Sequence, residues 1–351
     1  MSSQESFFGV TQHGLPVTRY VLSAGGKVTV ALLDFGAVIH TVYTPDKFGT
    51  LADVVLGYDD VAGYEQSNTY FGAVIGRFGN RLKHGKFTLN GQSFQLATNN
   101  GSNHLHGGEI GFDKRLWQAH WIDKACIEFS LVSADGDQGY PGRLHVAVRY
   151  RLSSDGELSV KYQAHCDADT IVNLTQHSYF NLSGDPEQAI TDHRLQIDAN
   201  QITEVDDTLI PTGRLLEVNN TPFDLRKAQL LRDVIDQPHR QLQYGGGFDH
   251  NYVLNNPDIG TRRVATVRHP HSGRQLSVAT DLPGMQFYSG NFLNGSEHGK
   301  SGVRYPFRGG LCLETQGFPD APNHPNFPSV LLPKGKQYVT ETRFSFSNTD
   351  I

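Results

Sequence analysis

The sequence predicts an all-β fold: one large antiparallel β-sandwich with a few short helices. Three observations carry that expectation. Turn signals recur along the whole chain and flank short runs that alternate or are rich in β-branched residues. Helical periodicity is scarce. No composition break, low-complexity tract or internal repeat marks a boundary, so residues 1–351 are expected to form a single domain.

The elements follow in order. Asp59 to Gln66 reads as a short helix with Asp59 as N-cap. Asn90-Gly91 separates KFTL from QSFQLA, and an Asx-Gly pair between such runs specifies a hairpin because the turn needs positive φ. Asp135-Gly136 follows CIEFSLVSA, and Asp155-Gly156 separates LHVAVRYRL from ELSVKYQAHC. Ile171 to Leu182, IVNLTQHSYFNL, reads as one strand. Alternation gives it a largely apolar face and a second face of Asn173, Thr175, His177, Tyr179 and Asn181. That second face is either a plain polar surface or the floor of a polar cleft. Leu225 to Val234 reads as another short helix, after Thr221-Pro222. Ser272-Gly273 separates RRVATVRH from RQLSVATD. In LCLETQGF, Glu314 directly follows the leucine-bearing stretch Leu311 to Leu313 and shares a face with Cys312 and Gln316, so it is either a paired structural acid or a catalytic one. The following PDAPNHPNFP is irregular, because proline cannot donate to a ladder.

Composition narrows the function classes. With 38% hydrophobic, 10% aromatic and 19% charged residues, the chain has the makings of a packed core and is not predominantly disordered. A formal net charge of −6 without a basic patch argues against nucleic acid as a partner. No apolar run approaches the length of a membrane span, and MSSQESFFGV has no signal-peptide pattern. The 3 cysteines, Cys126, Cys166 and Cys312, form neither a disulfide framework nor a metal motif, so the cytoplasm is the expected location.

Three glycine-bearing segments add polar groups on tight backbone paths: GRFGNRL with Arg77, Asn80 and Arg81; HLHGG with His104 and His106; and GGGFDHN with Asp249 and His250. These residues admit several chemistries. His104, His106, His177 and Glu314 are the ligand types of a cupin-like metal site, although 16 histidines make a chance His-x-His common. Asp249 and Glu314 could be the paired carboxylates of a glycosidase. The same polar face could also hold a sugar without turning it over.

The chain resembles the aldose 1-epimerase family. The matching blocks run from GYDDVAGY through GRFGNRL, LHGG, NLTQHSYFNL, GGFDHN and MQFYSGNFL to ETQGFPDAPN, in order and across nearly the whole chain. The resemblance implies a single antiparallel β-sandwich with an open polar cleft. It also implies interconversion of the α and β anomers of a free aldose such as galactose or glucose, with no metal or organic cofactor. The implied catalytic residues are Glu314, His177 and His106, and the implied sugar-binding residues are Asn80, Arg81, Asp249 and Gln286. A small-molecule sugar is the implied partner, with no nucleic acid or membrane, and a monomer or weak homodimer is expected. Two positions depart from the family pattern: Gly79 where Ala is usual, and His104 where Ser is usual, the latter adding an ionisable group beside LHGG. The chemistry expected of these residues is paired proton transfer. Glu314 takes the anomeric proton while His177, as imidazolium, protonates the ring oxygen. His106 assists electrostatically, and Arg77 is expected to be structural, joining its turn to a carboxylate. Among Phe287, Tyr288 and Phe318, core packing is the default and a wall beneath a sugar the alternative.

Overall fold

Period-2 alternation in the central runs produces strands with one buried face. In Leu144–Leu152 every second residue is buried, and Glu157–Cys166 repeats the pattern. In the computed structural model, which describes residues 4–348, these strands neighbour each other in a nine-stranded antiparallel sheet. Its order is Gln118–Asp123, Cys126–Ser133, Leu144–Leu152, Glu157–Cys166, Gln337–Asn348, Arg274–Thr280, Arg262–Arg268, Arg194–Ile197 and Gln229–Leu230. A six-stranded sheet runs Tyr179–Phe180, Leu311–Gln316, Gly284–Tyr288, Asp249–Leu254, Ala199–Val205 and Pro211–Glu217. A five-stranded sheet runs in chain order from Glu5–Val10 to Leu51–Asp53. Side chains from all three close into one apolar core, with Leu32 and Val42 from the third, Val148, Val160 and Phe344 from the first, and Phe287 and Leu313 from the second. Among the described residues, strands make up 45% beside three short helices, with antiparallel sheets and no closed barrel, so the all-β expectation holds. No helix among the described residues is long and apolar enough to cross a membrane.

The turn chemistry is legible in detail. Asn90 (φ 51°) and Gly91 (φ 79°) close a two-residue hairpin in which Leu89 pairs with Gln92. Gly156 (φ 90°) and Gly273 (φ 74°) turn the other two predicted hairpins. Gly136 also has positive φ, but the chain then winds through a 3-10 turn at Asp137–Gly139 before the next strand, so this connection is longer than a hairpin.

Three expectations need correction. The first helix spans Val61–Gln66 and is capped by Asp60, whose carboxylate accepts the Gly63 N–H at 2.8 Å; Asp59 instead accepts from Ser301. In the stretch 225–234 only Leu231–Val234 is helical, because Gln229–Leu230 is claimed as an edge strand by Arg194–Ile197. The stretch 171–182 is not one strand. Thr170–Ile171, Thr175–Gln176 and Tyr179–Phe180 pair with three different partners, Leu331–Leu332, Val74–Ile75 and Leu311–Gln316, so the chain turns between them. All of 171–182 is buried, so no solvent face exists for alternation to reveal. Asn173 there serves the backbone, bonding Gly79 O, Gly317 O and Gly317 N–H. A helix at Arg240–Gly245, ending on Gly246 (φ 64°), was not predicted.

Arg77 is structural, but its partners are carbonyls and hydroxyls rather than a carboxylate. Its buried guanidinium donates to Pro141 O, Gly142 O, Ser133 O, Ala134 O and Ser133 Oγ. Arg77→Met strands these acceptors and is expected to cost roughly 3 kcal/mol in urea unfolding. A loss under about 1 kcal/mol would deny Arg77 this role.

Candidate active site

Three adjacent strands form the floor of the site. Asp249–Leu254, Gly284–Tyr288 and Leu311–Gln316 pair so that Asn251 opposes Gln286 and Gln286 opposes Glu314, while Asp249 opposes Tyr288 and Tyr288 opposes Cys312. Alternation therefore sends Phe287 and Leu313 into the core and keeps Glu314, Cys312, Gln286, Tyr288 and Asp249 on the other face. Loops carrying Tyr70, His106 and Phe292, and the short strand Arg81–Leu82, stand around Glu314, Asp249 and Tyr288, and together they line a cavity of about 620 Å³.

His177 is pinned through its backbone: its N–H donates to Ala73 O at 2.9 Å, and its carbonyl accepts from Gly72 N–H at 3.1 Å. Its Nε2 lies 3.5 Å from Glu314 Oε1, and Cys312 Sγ meets its Nδ1 at 3.7 Å. The other Glu314 oxygen is buried with no hydrogen-bond partner. Burial drives the two groups in opposite directions. It lifts Glu314 well above the ordinary carboxylate range, reinforced by Asp249 and opposed by Arg81. It pushes His177 down to about 4. The pair becomes an ion pair only when the proton sits on His177, and burial opposes both charges.

The third member, His106, sits at φ 52° before Gly107, where a Cβ would fall 1.8 Å from Gly76 O. Two bonds latch it to Asn80: His106 N–H to Asn80 O, and Asn80 N–H to His106 Nδ1, both 3.1 Å. A backbone N–H can only donate, so Nδ1 is a bare acceptor and the ring proton of neutral His106 is on Nε2. Burial and the neighbouring His177 hold its pKa well below the usual histidine value, so it stays a neutral donor.

That tautomer bears on the metal reading. Single ligand atoms of His106, His177 and Glu314 lie within 4.8 Å of one another. A ligating histidine normally donates its second N–H outward and offers a lone pair inward. His106 does the reverse. His104 cannot complete the set, because its ring nitrogens face Ala97 O and Tyr140 OH at 2.7 and 2.6 Å. It does not line the cavity, so the ionisable group expected beside LHGG is outside the site. The donor set suits proton transfer rather than a cation.

Arg81 and Asp249 face each other at 3.7 Å, both buried. Asn100 Oδ1 holds Arg81 Nε, and Gln286 Nε2 holds Asp249 Oδ1 at 2.6 Å. Asn80 lines the cavity, whereas Gln286 does not and stands behind Asp249. Among the aromatic candidates Tyr288 lines the cavity; Phe287 is in the core, and Phe318 packs with Phe327. His250 is wholly buried, its Nδ1 taken by Asp249 N–H. Sequence reasoning missed Tyr70, Asn100, Asp113 and Phe292, all of which line the cavity. Burial lifts Asp113 to about 6. Asp113 had a signal, an acid inside the apolar-flanked GFDKRLW, and Phe292 stands inside the MQFYSGNFL block; Tyr70 and Asn100 had none.

The family model described as aldose 1-epimerase matches residues 18–345. The chain belongs to the aldose 1-epimerase family. A galactose mutarotase of Bos taurus is 48% identical over 347 residues, covering 99% of each chain. The aldose 1-epimerase of Escherichia coli (strain K12) is 36% identical over 337 residues, 95% of this chain and 96% of its own. Among solved structures, an aldose epimerase homologue from C. elegans aligns with TM-score 0.87 at 31% identity, covering 94% of this chain and 98% of its own. A galactose 1-epimerase from Lactobacillus acidophilus aligns with TM-score 0.85 at 25% identity over 98% of both. The epimerase family thus agrees with the resemblance carried by the motif blocks.

Proposed function

We propose that this protein interconverts the α and β anomers of free aldoses such as galactose and glucose, with Glu314 and His177 as its proton-transfer pair. The observation that carries the reading is one carboxylate and one imidazole 3.5 Å apart in a polar cavity. The anomeric hydroxyl and the ring oxygen share one carbon, so closely set groups can serve both. Glu314 removes the anomeric proton, His177 protonates the ring oxygen, and the bond from that oxygen to the anomeric carbon breaks. The open aldehyde rotates about its first carbon–carbon bond and recloses with the transfers reversed. His106 offers its Nε2–H to the developing oxyanion. Arg81, Asp249 and Asn80 hold the hydroxyls, with Gln286 steadying Asp249.

The pair works with one proton between its two members. Burial places that proton on Glu314, and moving it to His177 gives the reactive arrangement. The cost has a return, because a carboxylate of raised pKa is a strong base and an imidazolium of lowered pKa a strong acid. Arg81 favours ionised Glu314, and the carbonyl of His177 favours its charged ring. A second proton enters only below the depressed value for His177. The kcat/KM profile is therefore expected to fall as pH drops through about 4, and on the alkaline side to fall only where Glu314, raised above the ordinary carboxylate range, gives up the shared proton. An acid limb near about 6.5, where free imidazole titrates, would remove the burial argument.

Polarimetry of freshly dissolved α-galactose and α-glucose, with and without chelator, tests the function. Accelerated decay of rotation that chelator leaves unchanged is expected. Decay at the buffer rate overturns the reading, and release of reducing ends from glycosides, or sugar binding without turnover, would replace it. The three cysteines are buried free thiols, which suits the cytoplasm as the place of action.

A further inference from the structure

Tyr70 lies in the left-handed region at φ 59°. Glycine and asparagine tolerate that conformation, but for a bulky aromatic residue it is an outlier. Such strain persists only where the surroundings over-determine it, and it clusters at functional positions. Four backbone bonds supply the constraint. Ala73 N–H returns to Tyr70 O, Gly72 N–H reaches His177 O, His177 N–H reaches Ala73 O, and Ile39 N–H reaches Gly72 O, at 3.1, 3.1, 2.9 and 2.7 Å. Gly72 leaves no freedom to adjust, since a Cβ there would lie 2.2 Å from Ile39 O. The turn that strains Tyr70 is thus the turn that clips His177.

The ring held in this way touches both site histidines. Its centroid lies 4.7 Å from that of His106 at 64°, and 5.6 Å from that of His177 at 36°. The two imidazoles lie 5.1 Å apart at 82° to each other, so the three rings form one cluster. Tyr70 meets them by ring packing, in which its own polar atom takes no part. Nε2 of His177 stays free to face Glu314, and Nε2 of His106 free to donate. Glycine would relieve the backbone but would leave both imidazoles without this neighbour.

We propose that Tyr70 is a positioning residue whose flat ring sets the angle between His106 and His177, a role bought with backbone strain. This rests on the epimerase reading of the same site. Misplacing a reacting group by an ångström is expensive, so Tyr70→Leu, which keeps bulk and strain but loses the flat face, is expected to lower kcat about 10–100-fold with KM nearly unchanged. Tyr70→Phe restores the wild-type kcat. Imidazole nitrogen resonances of ¹⁵N-histidine-labelled protein shift for His106 and His177 in Tyr70→Leu and not in Tyr70→Phe. Tyr70→Gly melts higher than Tyr70→Ala, because both lose the ring and only glycine escapes the strain.

Wild-type kcat in Tyr70→Leu would overturn the proposal. So would a Tyr70→Phe variant as slow as Tyr70→Leu, since the hydroxyl would then be the active part. Unmoved histidine resonances in Tyr70→Leu would overturn it without reference to activity. A wild-type protein that fails to speed mutarotation defeats the functional reading instead.

Discussion

Glu314→Gln lowers kcat by about 10²–10⁴-fold, the usual worth of a proton-transfer group. The amide keeps the shape of the side chain but cannot accept the anomeric proton. Folding is not expected to suffer. Glu314 is 2% exposed and one of its oxygens has no hydrogen-bond partner, so the wild-type carboxyl is already costly to bury. The melting temperature should match or exceed that of the wild type. Polarimetry beside a thermal melt reads both quantities. Turnover close to wild type in a folded Glu314→Gln protein removes this residue from the mechanism.

His177→Asn is the second large effect, of similar order. Asparagine can bond a ring oxygen but cannot hand it a proton at any working pH. The backbone clamp through Gly72 and Ala73 does not involve the side chain, so the local fold is retained. The aromatic neighbours Tyr70 and Tyr179, at 5.6 and 5.2 Å, lose a packing partner, and a modest fall in melting temperature is expected. Because the missing group is a free-standing imidazole, added imidazole should recover part of the rate. A variant that keeps wild-type kcat would show that His177 carries no proton.

What could be read in advance depended on how local the cause was. Hairpins at Asn90-Gly91 and Ser272-Gly273 were legible because positive φ is written into the dipeptide itself. The position of Glu314 was legible because an acid directly after two core leucines, on the same face as a cysteine, is anomalous wherever it occurs. The break-up of 171–182 was not, because three partners far along the chain each claim a different short piece of it. The shared proton was also hidden. Reference pKa values give an ionised glutamate and a charged histidine between about 4.3 and 6.5, whereas complete burial reverses which member holds the proton. The family resemblance implies Gln286 as a sugar ligand. That its amide donates to Asp249 depends on strand pairing, which sets Asn251 opposite Gln286 and so Asp249 two residues away on the same face, and is invisible in the sequence.

The enclosure of Glu314 and His177 has a consequence for kinetics in solution. Opening the sugar ring leaves the carboxyl protonated and the imidazole neutral, and closing it restores the starting state, so the two side chains form a closed relay. No step draws hydrogen ions from the medium or returns them to it. Spontaneous mutarotation quickens as buffer is added, because dissolved acids and bases do the same work; the enzymatic rate should be indifferent to buffer strength.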